Sequence, residues 1–232
     1  MRAEEAAYNA AMLTYAIGDI HGRHDLLQLL LRKIREHAED RPHKLVFLGD
    51  YIDRGPDSAA VVETIRRLQN ASPDNVVCLM GNHEDMLLMA VNDPTAVYWW
   101  VRNGGDATLA AFDAGMPHDI PADVLDWMSS LPNSFEDEKR YYVHAGLRPG
   151  KGFMEQTDQD KLWIREPFLT IDYDFGKHVI HGHTPVRTAY PESRPYRTNL
   201  DTGAVFTGVL TAGIFMGDHG RPVGFLSTAP WS

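Results

Sequence analysis

Aspartate, asparagine and histidine recur beside glycine in five short motifs along this chain. The motifs occupy residues 18–22 (GDIHG), 49–55 (GDYIDRG), 81–84 (GNHE), 144–146 (HAG) and 181–184 (HGHT). Carboxylate, amide and imidazole groups are the ligands that borderline and hard divalent metals prefer. Five such clusters in one chain therefore predict a two-metal site that activates water for attack at phosphorus.

Each of the first three motifs follows a short apolar run that is typical of a buried strand. These runs cover residues 13–17, 44–48 and 76–80. Between them, residues 25–37 carry apolar side chains at helical spacing, and Ser58 is predicted to be the N-cap of a second helix. The alternation predicts a βαβαβ unit. In such sheets ligands gather outside the carboxyl ends of the strands, where these three motifs lie.

After the third motif the sequence pattern is first helical and then typical of strands. Residues 85–135 contain helical signals together with Trp99 and Trp100, and they are predicted to form a helical cap-like layer beside the site. Strands are then expected at residues 140–143, 177–180, 197–200 and 209–215. Because 232 residues suit one domain and no linker or repeat divides them, we expect a single domain over residues 1–232.

Composition excludes several classes of function. The net charge of −10 argues against a nucleic-acid-binding surface. The single cysteine, Cys78, excludes an intrachain disulfide and fits a reducing compartment, so the cytoplasm is the expected location. A cysteine-phosphatase loop would need arginine at position 84, where Glu84 stands. No signal peptide is expected, and no window approaches the ~20 apolar residues that span a membrane.

The order of the five motifs resembles the metallophosphoesterase superfamily and, within it, the phosphoprotein phosphatase (PPP) family. The similarity is greatest to the bacterial and phage-type serine/threonine protein phosphatases, and it covers about residues 14–203. The resemblance implies an α/β protein of the calcineurin-like metallophosphoesterase fold. In that fold a central β-sandwich is flanked by helices, in four layers of the order α/β/β/α.

The same resemblance implies two divalent metal ions, manganese first, with iron or zinc as alternatives. The expected ligands are Asp19, His21 and Asp50 for one ion, and Asp50, Asn82, His144 and His183 for the other. Asp19 and His21 are two residues apart, so on an extended segment both side chains point the same way. Two ions ~3.5–4 Å apart lower the pKa of a bridging water, which attacks phosphorus in line without a phosphoenzyme.

Other motif residues are assigned roles in catalysis and phosphate binding by the resemblance. His83 corresponds to the general acid that protonates the leaving alkoxide, and Asp53 orients it. Arg54 and Arg165 are the candidates for gripping phosphate, since guanidinium groups match phosphate oxygens in pairs. For Arg165, a surface salt bridge to Glu166 remains an equal alternative.

Three short segments leave alternatives open. In the HGHT motif the family's ligand precedes threonine, so His183 is taken as the ligand. His181 is then expected in an outer shell or in the core. Residues 103–105 (NGG) resemble a stretch of the phage-type enzymes and form either a plain turn or a substrate contact. Residues 201–203 (DTG) are expected to support the sheet edge near the metals.

The leading functional hypothesis is a metal-dependent phosphomonoester hydrolase that acts on serine or threonine phosphate in a protein or peptide. The alternative is a symmetrical diadenosine tetraphosphate hydrolase. Glu84 in the GNHE motif and the intact Asp53–Arg54 pair favour the phosphatase. A non-catalytic metal-binding scaffold is a third hypothesis. The HAG motif differs from the HGG of the eukaryotic enzymes, and their C-terminal SAPNYC-like loop is absent, so no regulatory subunit is implied. Neither nucleic acid nor membrane is an expected partner.

Overall fold

The computed structural model describes residues 12–217 and 219–229, which form two five-stranded β-sheets and the helices around them. In chain order the strands are β1 (Leu13–Ile17), β2 (His43–Phe47), β3 (Val76–Cys78), β4 (Ser134–Glu136), β5 (Arg140–Val143), β6 (His178–His181), β7 (Glu192–Ser193), β8 (Arg197–Asn199), β9 (Thr211–Met216) and β10 (Gly224–Ser227). The first sheet has the order β10-β9-β1-β2-β3, and the second has the order β4-β5-β6-β8-β7. The predicted α/β sandwich is therefore confirmed.

The α-helices occupy the spaces between these strands. In chain order they are α1 (His24–Ala38), α2 (Ser58–Ala71), α3 (Asn82–Asn92), α4 (Pro94–Trp100), α5 (Asp106–Ala111), α6 (Ala122–Ser129), α7 (Asp158–Trp163) and α8 (Ala204–Thr207). A π-helical turn, Val101–Gly105, joins α4 to α5. No helix in the described part of the chain is long and apolar enough to cross a membrane.

The first sheet contains the βαβαβ unit that the sequence predicts. Strands β1, β2 and β3 are parallel, and α1 and α2 connect them. Along β1 the side chains alternate: Leu13, Tyr15 and Ile17 pack on the helical side, while Ala16 packs between the two sheets. This period of two is what a strand with both faces covered requires. Strand β9 then adds to β1 in the antiparallel direction.

The second sheet packs on the first through a compact apolar layer. Its members come from both sheets and are Ala16, Val46, Leu48, Leu79, Tyr142, Ile180, Leu200 and Phe215. Strands β5, β6 and β8 are parallel, so their carboxyl ends, like those of β1 to β3, meet at one edge. The outer face of this sheet is covered by apolar side chains between residues 147 and 175, including Phe168. The fourth layer is therefore thin and mostly irregular.

The helices between β3 and β4 pack into the body of the protein. Their buried side chains, among them Met86, Trp100 and Met128, belong to the same apolar cluster as Tyr15 of β1. The region predicted as a helical cap over residues 85–135 is thus helical, and it shares its core with the first sheet. It contributes to the site through its π-helical turn, described below.

Several predicted boundaries differ from the structure. Ser58 is not the N-cap of α2. Asp57 is, because its side chain accepts a hydrogen bond from the backbone N–H of Ala60, while Ser58 Oγ turns inward and accepts one from the N–H of Asp53. Strands β1 and β5 have the predicted bounds, and the other predicted strands shift by one or two residues at their ends. Strands β4, β7 and β10, which are two to four residues long, do not follow from the sequence pattern.

Candidate active site

The five motifs meet where the strands end. They surround a cavity of about 260 Å³ that is lined by Asp50, Arg54, Asn82, His83, Asn103, Trp163, Arg165 and His183. Asp50 follows β2, Asn82 opens α3 after β3, and His183 follows β6. The parallel order of the strands therefore carries side chains that lie more than a hundred residues apart in sequence to one edge of the sandwich.

Unusual backbone conformation is concentrated at this edge. His21, Asp50, Asp53, Arg54 and His183 all have positive φ angles, between 46° and 72°. Such angles are uncommon outside glycine and gather at functional sites, where the surrounding structure holds them. Gly49 contributes too, because its φ is 99° and an added Cβ would lie 2.6 Å from Cα of Gly81. Two motif loops can approach each other only because both positions are glycine.

Asp50 lies between two groups of histidines. Its Oδ2 is 3.4 Å from Nε2 of His21 and 4.0 Å from Nε2 of His83. Its Oδ1 is 3.3 Å from Nε2 of His144, and His183 completes that second group. Each group brings its ligand atoms close enough together to hold one metal ion. Asp50 belongs to both groups, which is the arrangement that a bridging carboxylate needs.

The imidazole tautomers suit metal binding. Nδ1 of His21 donates to the carbonyl of Ile52 (2.8 Å), and Nδ1 of His144 donates to the carbonyl of Leu48 (2.9 Å). Burial lowers the pKa values of both imidazoles, so they stay neutral and each Nε2 keeps a lone pair directed at the site. A backbone partner on the other ring nitrogen is the usual way to orient a metal-binding histidine.

Asn82 shows most directly that a cation fits here. Its Oδ1 is 2.9 Å from Nε2 of His144 and 2.8 Å from Nδ1 of His183. Burial first, and then the proximity of His144, lower the pKa of His183 to about 3, so this ring is neutral too. The His144 lone pair and the amide oxygen are both acceptors, and acceptors at this distance repel unless a cation lies among them. The oxygen and nitrogen donors suit a divalent transition metal.

Asp19 belongs to neither of the two groups of ligand atoms around Asp50. The chain is not extended at His21, whose φ is 46°, so the extended segment assumed in the prediction is not present. Asp19 instead accepts the backbone N–H of His183 and lies against the carboxyl group of Asp201. Burial, followed by the charges of Asp201 and Asp50, raises its pKa well above the usual value. A nearby cation would relieve this repulsion, so Asp19 keeps its place as a predicted ligand.

His83 is held by a buried carboxylate. Its Nδ1 donates to Oδ2 of Asp53 at 2.6 Å, and both side chains are almost fully buried. Burial alone would lower the pKa of His83, but the negative charges of Asp50 and Asp53 together raise it above its usual value. Asp53 makes no ion pair with Arg54; Trp100 Nε1 (2.9 Å) and Thr108 Oγ1 (2.7 Å) donate to its carboxylate instead.

Replacing Trp100 with phenylalanine is expected to destabilise the protein. The change removes the indole N–H from a fully buried carboxylate and leaves a small cavity, which together cost about 2–3 kcal/mol of the free energy of unfolding. Urea denaturation would measure this loss. Trp99→Phe is the matched control, since Trp99 is 45% exposed, and its effect should stay within about 0.5 kcal/mol. Equal losses in the two variants would contradict the assigned role of Trp100.

The two candidate phosphate-binding arginines both line the cavity. The guanidinium of Arg54 donates to Nε2 of His21 (2.7 Å) and to Nε2 of His83 (2.8 Å), so it lies at the centre of the site. Arg165 is exposed, and no ion pair joins it to Glu166, whose carboxylate accepts from Thr170. The surface salt bridge that was the alternative for Arg165 is therefore not formed.

Comparison with known proteins agrees with this geometry. A family model described as Calcineurin-like phosphoesterase matches residues 12–208. The chain belongs to the calcineurin-like phosphoesterase family. This metallophosphoesterase has two sheets with helices at their sides, and aspartate and histidine side chains cluster at the strand ends. The predicted resemblance to that superfamily is therefore confirmed.

Relatives within this family carry different activities in their names. The chain is 31% identical over 208 residues to serine/threonine-protein phosphatase 1 of Salmonella typhimurium, covering 85% of this chain and 89% of that one. It is 29% identical over 227 residues to the asymmetrical bis(5'-nucleosyl)-tetraphosphatase PrpE of Anoxybacillus flavithermus, covering 87% and 89%. The solved cold-active protein-tyrosine phosphatase of a psychrophilic Shewanella shares the fold, with a TM-score of 0.62, 16% identity and coverage of 90% and 82%.

This phosphoesterase also has a structural clamp that the sequence did not reveal. Glu84 is fully buried, and its carboxylate accepts the backbone N–H groups of Asp50, Tyr51, Ile52 and Gly81. Glu84 therefore fixes the loop that presents Asp50. The spacing of the GNHE motif does not show which backbone groups Glu84 meets, so this role does not follow from the sequence.

The structure shows where two of the segments with alternative interpretations lie. His181 is fully buried, with Nε2 3.2 Å from Arg197 and its ring 4.9 Å from that of Phe168, so it lies behind the site. Asn103 lines the cavity, and the carbonyl of Gly104 accepts the backbone N–H of Arg54 (3.0 Å). This segment is a π-helical turn that supports Arg54. Cys78 is buried in the apolar core, as expected, and burial raises the pKa of its thiol.

Proposed function

We propose that this protein is a metal-dependent phosphomonoester hydrolase that acts on serine and threonine phosphate in proteins or peptides. The main support for this proposal is the position of the Arg54 guanidinium. The guanidinium of Arg54 contacts both His21, in one candidate metal group, and His83, the candidate general acid. A phosphate gripped by Arg54 would therefore lie beside the metal site and within reach of a proton donor.

The metal site would hold two divalent ions, with manganese as our first choice and iron or zinc as alternatives. Asp19, His21 and Asp50 would bind one ion, and Asp50, Asn82, His144 and His183 the other. When bound, the ions would activate a water for attack at phosphorus. The chain's own contribution is to keep the histidines neutral and oriented through backbone carbonyls, and to hold Asp50 between them.

His83 would supply the proton that the leaving alkoxide needs. Asp53 orients the ring through Nδ1, which leaves Nε2 facing the cavity beside Arg54. Once protonated, His83 and Arg54 are both donors, so an acceptor between them is favoured, and the oxygens of a phosphoester provide it. A serine or threonine alkoxide is a poor leaving group, which is why general acid catalysis matters for this substrate class.

Two arginines at one cavity favour a phosphate with two charges. Arg54 and Arg165 both line the site, and a monoester carries close to two negative charges, whereas a diester carries one. We therefore expect phosphopeptides to be hydrolysed faster than simple diesters such as bis-p-nitrophenyl phosphate. Trp99 is 45% exposed and stacks on Trp163, which lines the cavity, so a peptide bound at the cavity would meet an aromatic surface there.

A second candidate is hydrolysis of diadenosine tetraphosphate, which we first considered in its symmetrical form. It is kept because the PrpE relative, named for asymmetrical cleavage of such dinucleotides, matches this chain about as well as the protein phosphatase does. The same metal site would serve either substrate. The products would separate the two cleavage modes, since symmetrical cleavage yields two ADP and asymmetrical cleavage yields ATP and AMP.

A substrate panel with added Mn²⁺ tests the proposal. Phosphoserine, phosphothreonine and phosphotyrosine peptides and diadenosine tetraphosphate would be compared by kcat/KM under one metal condition. We expect the phosphopeptides to be the better substrates. The Asp50→Asn variant, purified in parallel, is the control against a contaminating phosphatase.

A tenfold or greater advantage of the dinucleotide would replace the protein-phosphatase proposal with the second candidate. Absence of turnover on every phosphoester, with metal still bound, would favour the third hypothesis, a non-catalytic scaffold. The partner we propose is a phosphorylated protein or peptide, with no regulatory subunit, nucleic acid or membrane required. The single, buried Cys78 is compatible with action in the cytoplasm.

A further inference from the structure

An exposed aromatic ring lies beside the phosphate-binding arginine. Phe206 is 72% exposed, and its ring centroid is 5.9 Å from Cζ of Arg54. It belongs to none of the apolar clusters formed by the described residues. The guanidinium that contacts His21 and His83 is thus flanked by a phenyl ring that packs into no core.

The turn that carries Phe206 is tightly held. The helix α8 is bounded by Gly203 and Gly208, whose φ angles are 69° and 74°. The side chain of Thr207 donates to the carbonyls of Thr202 and Gly203. Arg23 donates to the carbonyl of Ala204 (3.1 Å), which ties the turn to the start of α1. The backbone that carries Phe206 is therefore held in place, which lowers the entropic cost of contacting a ligand.

Trp163, the aromatic residue that lines the cavity, is already engaged on one face. Trp163 stacks on Trp99 with centroids 5.5 Å apart, and its Nε1 donates to Asp85. It stands near His183, in the second metal group, whereas Phe206 stands near Arg54 at the first. Phe206 is therefore the ring with open surface next to the group that grips phosphate.

We propose that Phe206 contacts the organic group attached to the bound phosphate and favours a planar ring there. The inference goes beyond serine and threonine phosphate to phosphoesters that carry a ring, and it rests on the proposed role of Arg54 as the phosphate ligand. With the phosphate oxygens on Arg54, a group bonded to that phosphate would come within reach of the Phe206 ring, whose centroid is 5.9 Å from Cζ of Arg54. Flat rings stack well on an aromatic side chain. The ring of phosphotyrosine and the base of a nucleotide share this chemistry.

Binding of two non-hydrolysable phosphonates tests the contact directly. Calorimetry with Mn²⁺ present would compare phenylphosphonate with methylphosphonate, which differ only in the ring. We expect the wild-type protein to bind the phenyl compound about fivefold more tightly, the range of one aromatic contact. In Phe206→Ala this preference should fall to near unity. Phe206→Trp should keep the preference, because it restores a flat ring.

Tyr98→Ala is the matched control. Tyr98 is 73% exposed, like Phe206, but it lies on α4, and the ring contact to the Arg54 guanidinium is made by Phe206 instead. Its removal should leave the preference for the phenyl compound unchanged. The proposal is overturned if the wild-type protein shows no preference, or if Phe206→Ala weakens both phosphonates equally. The latter result would mean that Phe206 only steadies Arg54.

Turnover then identifies the source of the ring. Phe206→Ala should lower kcat/KM about fivefold on a phosphotyrosine peptide if the ring is tyrosine, or on diadenosine tetraphosphate if it is a base, with a smaller loss on phosphoserine. Because the phosphonate measurement needs no turnover, a protein that discriminates between the two phosphonates but hydrolyses nothing would refute the proposed activity and still support the role of Phe206.

Discussion

Replacing Asp50 with asparagine is expected to lower turnover by at least about a hundredfold on every phosphoester. Mutation of a residue that only hydrogen-bonds to a metal ligand costs up to about a hundredfold, and Asp50 is itself a candidate ligand. Asp50 reaches both histidine groups, so the change removes a charge from both candidate metal positions at once. Chelation of the wild-type protein should cause a similar loss, with recovery when Mn²⁺ is added. Phosphate release and metal content by atomic emission would be measured together.

Asp123→Asn supplies the control for this experiment. Asp123 is an exposed carboxylate that pairs with Arg66 at 2.8 Å, and it does not line the active-site cavity. The same chemical change there should leave both activity and metal content unaltered. Full activity of the thoroughly chelated protein would refute the two-metal hypothesis, whatever the behaviour of the variants.

His83→Asn is expected to reduce hydrolysis of alkyl phosphates far more than that of aryl phosphates. The loss on a phosphoserine peptide should approach ~10²–10⁴-fold, the contribution typical of general acid catalysis. p-Nitrophenolate leaves without protonation, so p-nitrophenyl phosphate should be affected much less. The measurement is kcat on both substrates at saturating Mn²⁺.

An equal loss on both substrates would argue against proton donation. The imidazole would then act on the position of Asp50, whose Oδ2 is 4.0 Å from Nε2 of His83. His118→Asn, at an exposed histidine outside the cavity, controls for the substitution itself. Circular dichroism of both variants would show that the fold is kept.

The sequence by itself determined the fold class and the residues that meet at the site. The first sheet follows from alternating burial along strands such as β1 and from the helical spacing of α1, and both are local properties. Parallel strands carry their following residues to one edge, so the motif positions alone bring Asp50, Asn82 and His144 together. Glycine at position 49 marks a loop that only a residue without a side chain allows.

Only the tertiary structure decided how those residues are held and what surrounds them. Trp100 and Thr108 reach Asp53 across 47 and 55 positions of sequence, and Glu84 clamps the Asp50 loop from 34 positions away. Such contacts depend on which surfaces the core brings together, and no local spacing encodes them. The same holds for Asp19, whose segment turns at His21, and for Phe206, which meets Arg54 only because α8 packs near the start of α1.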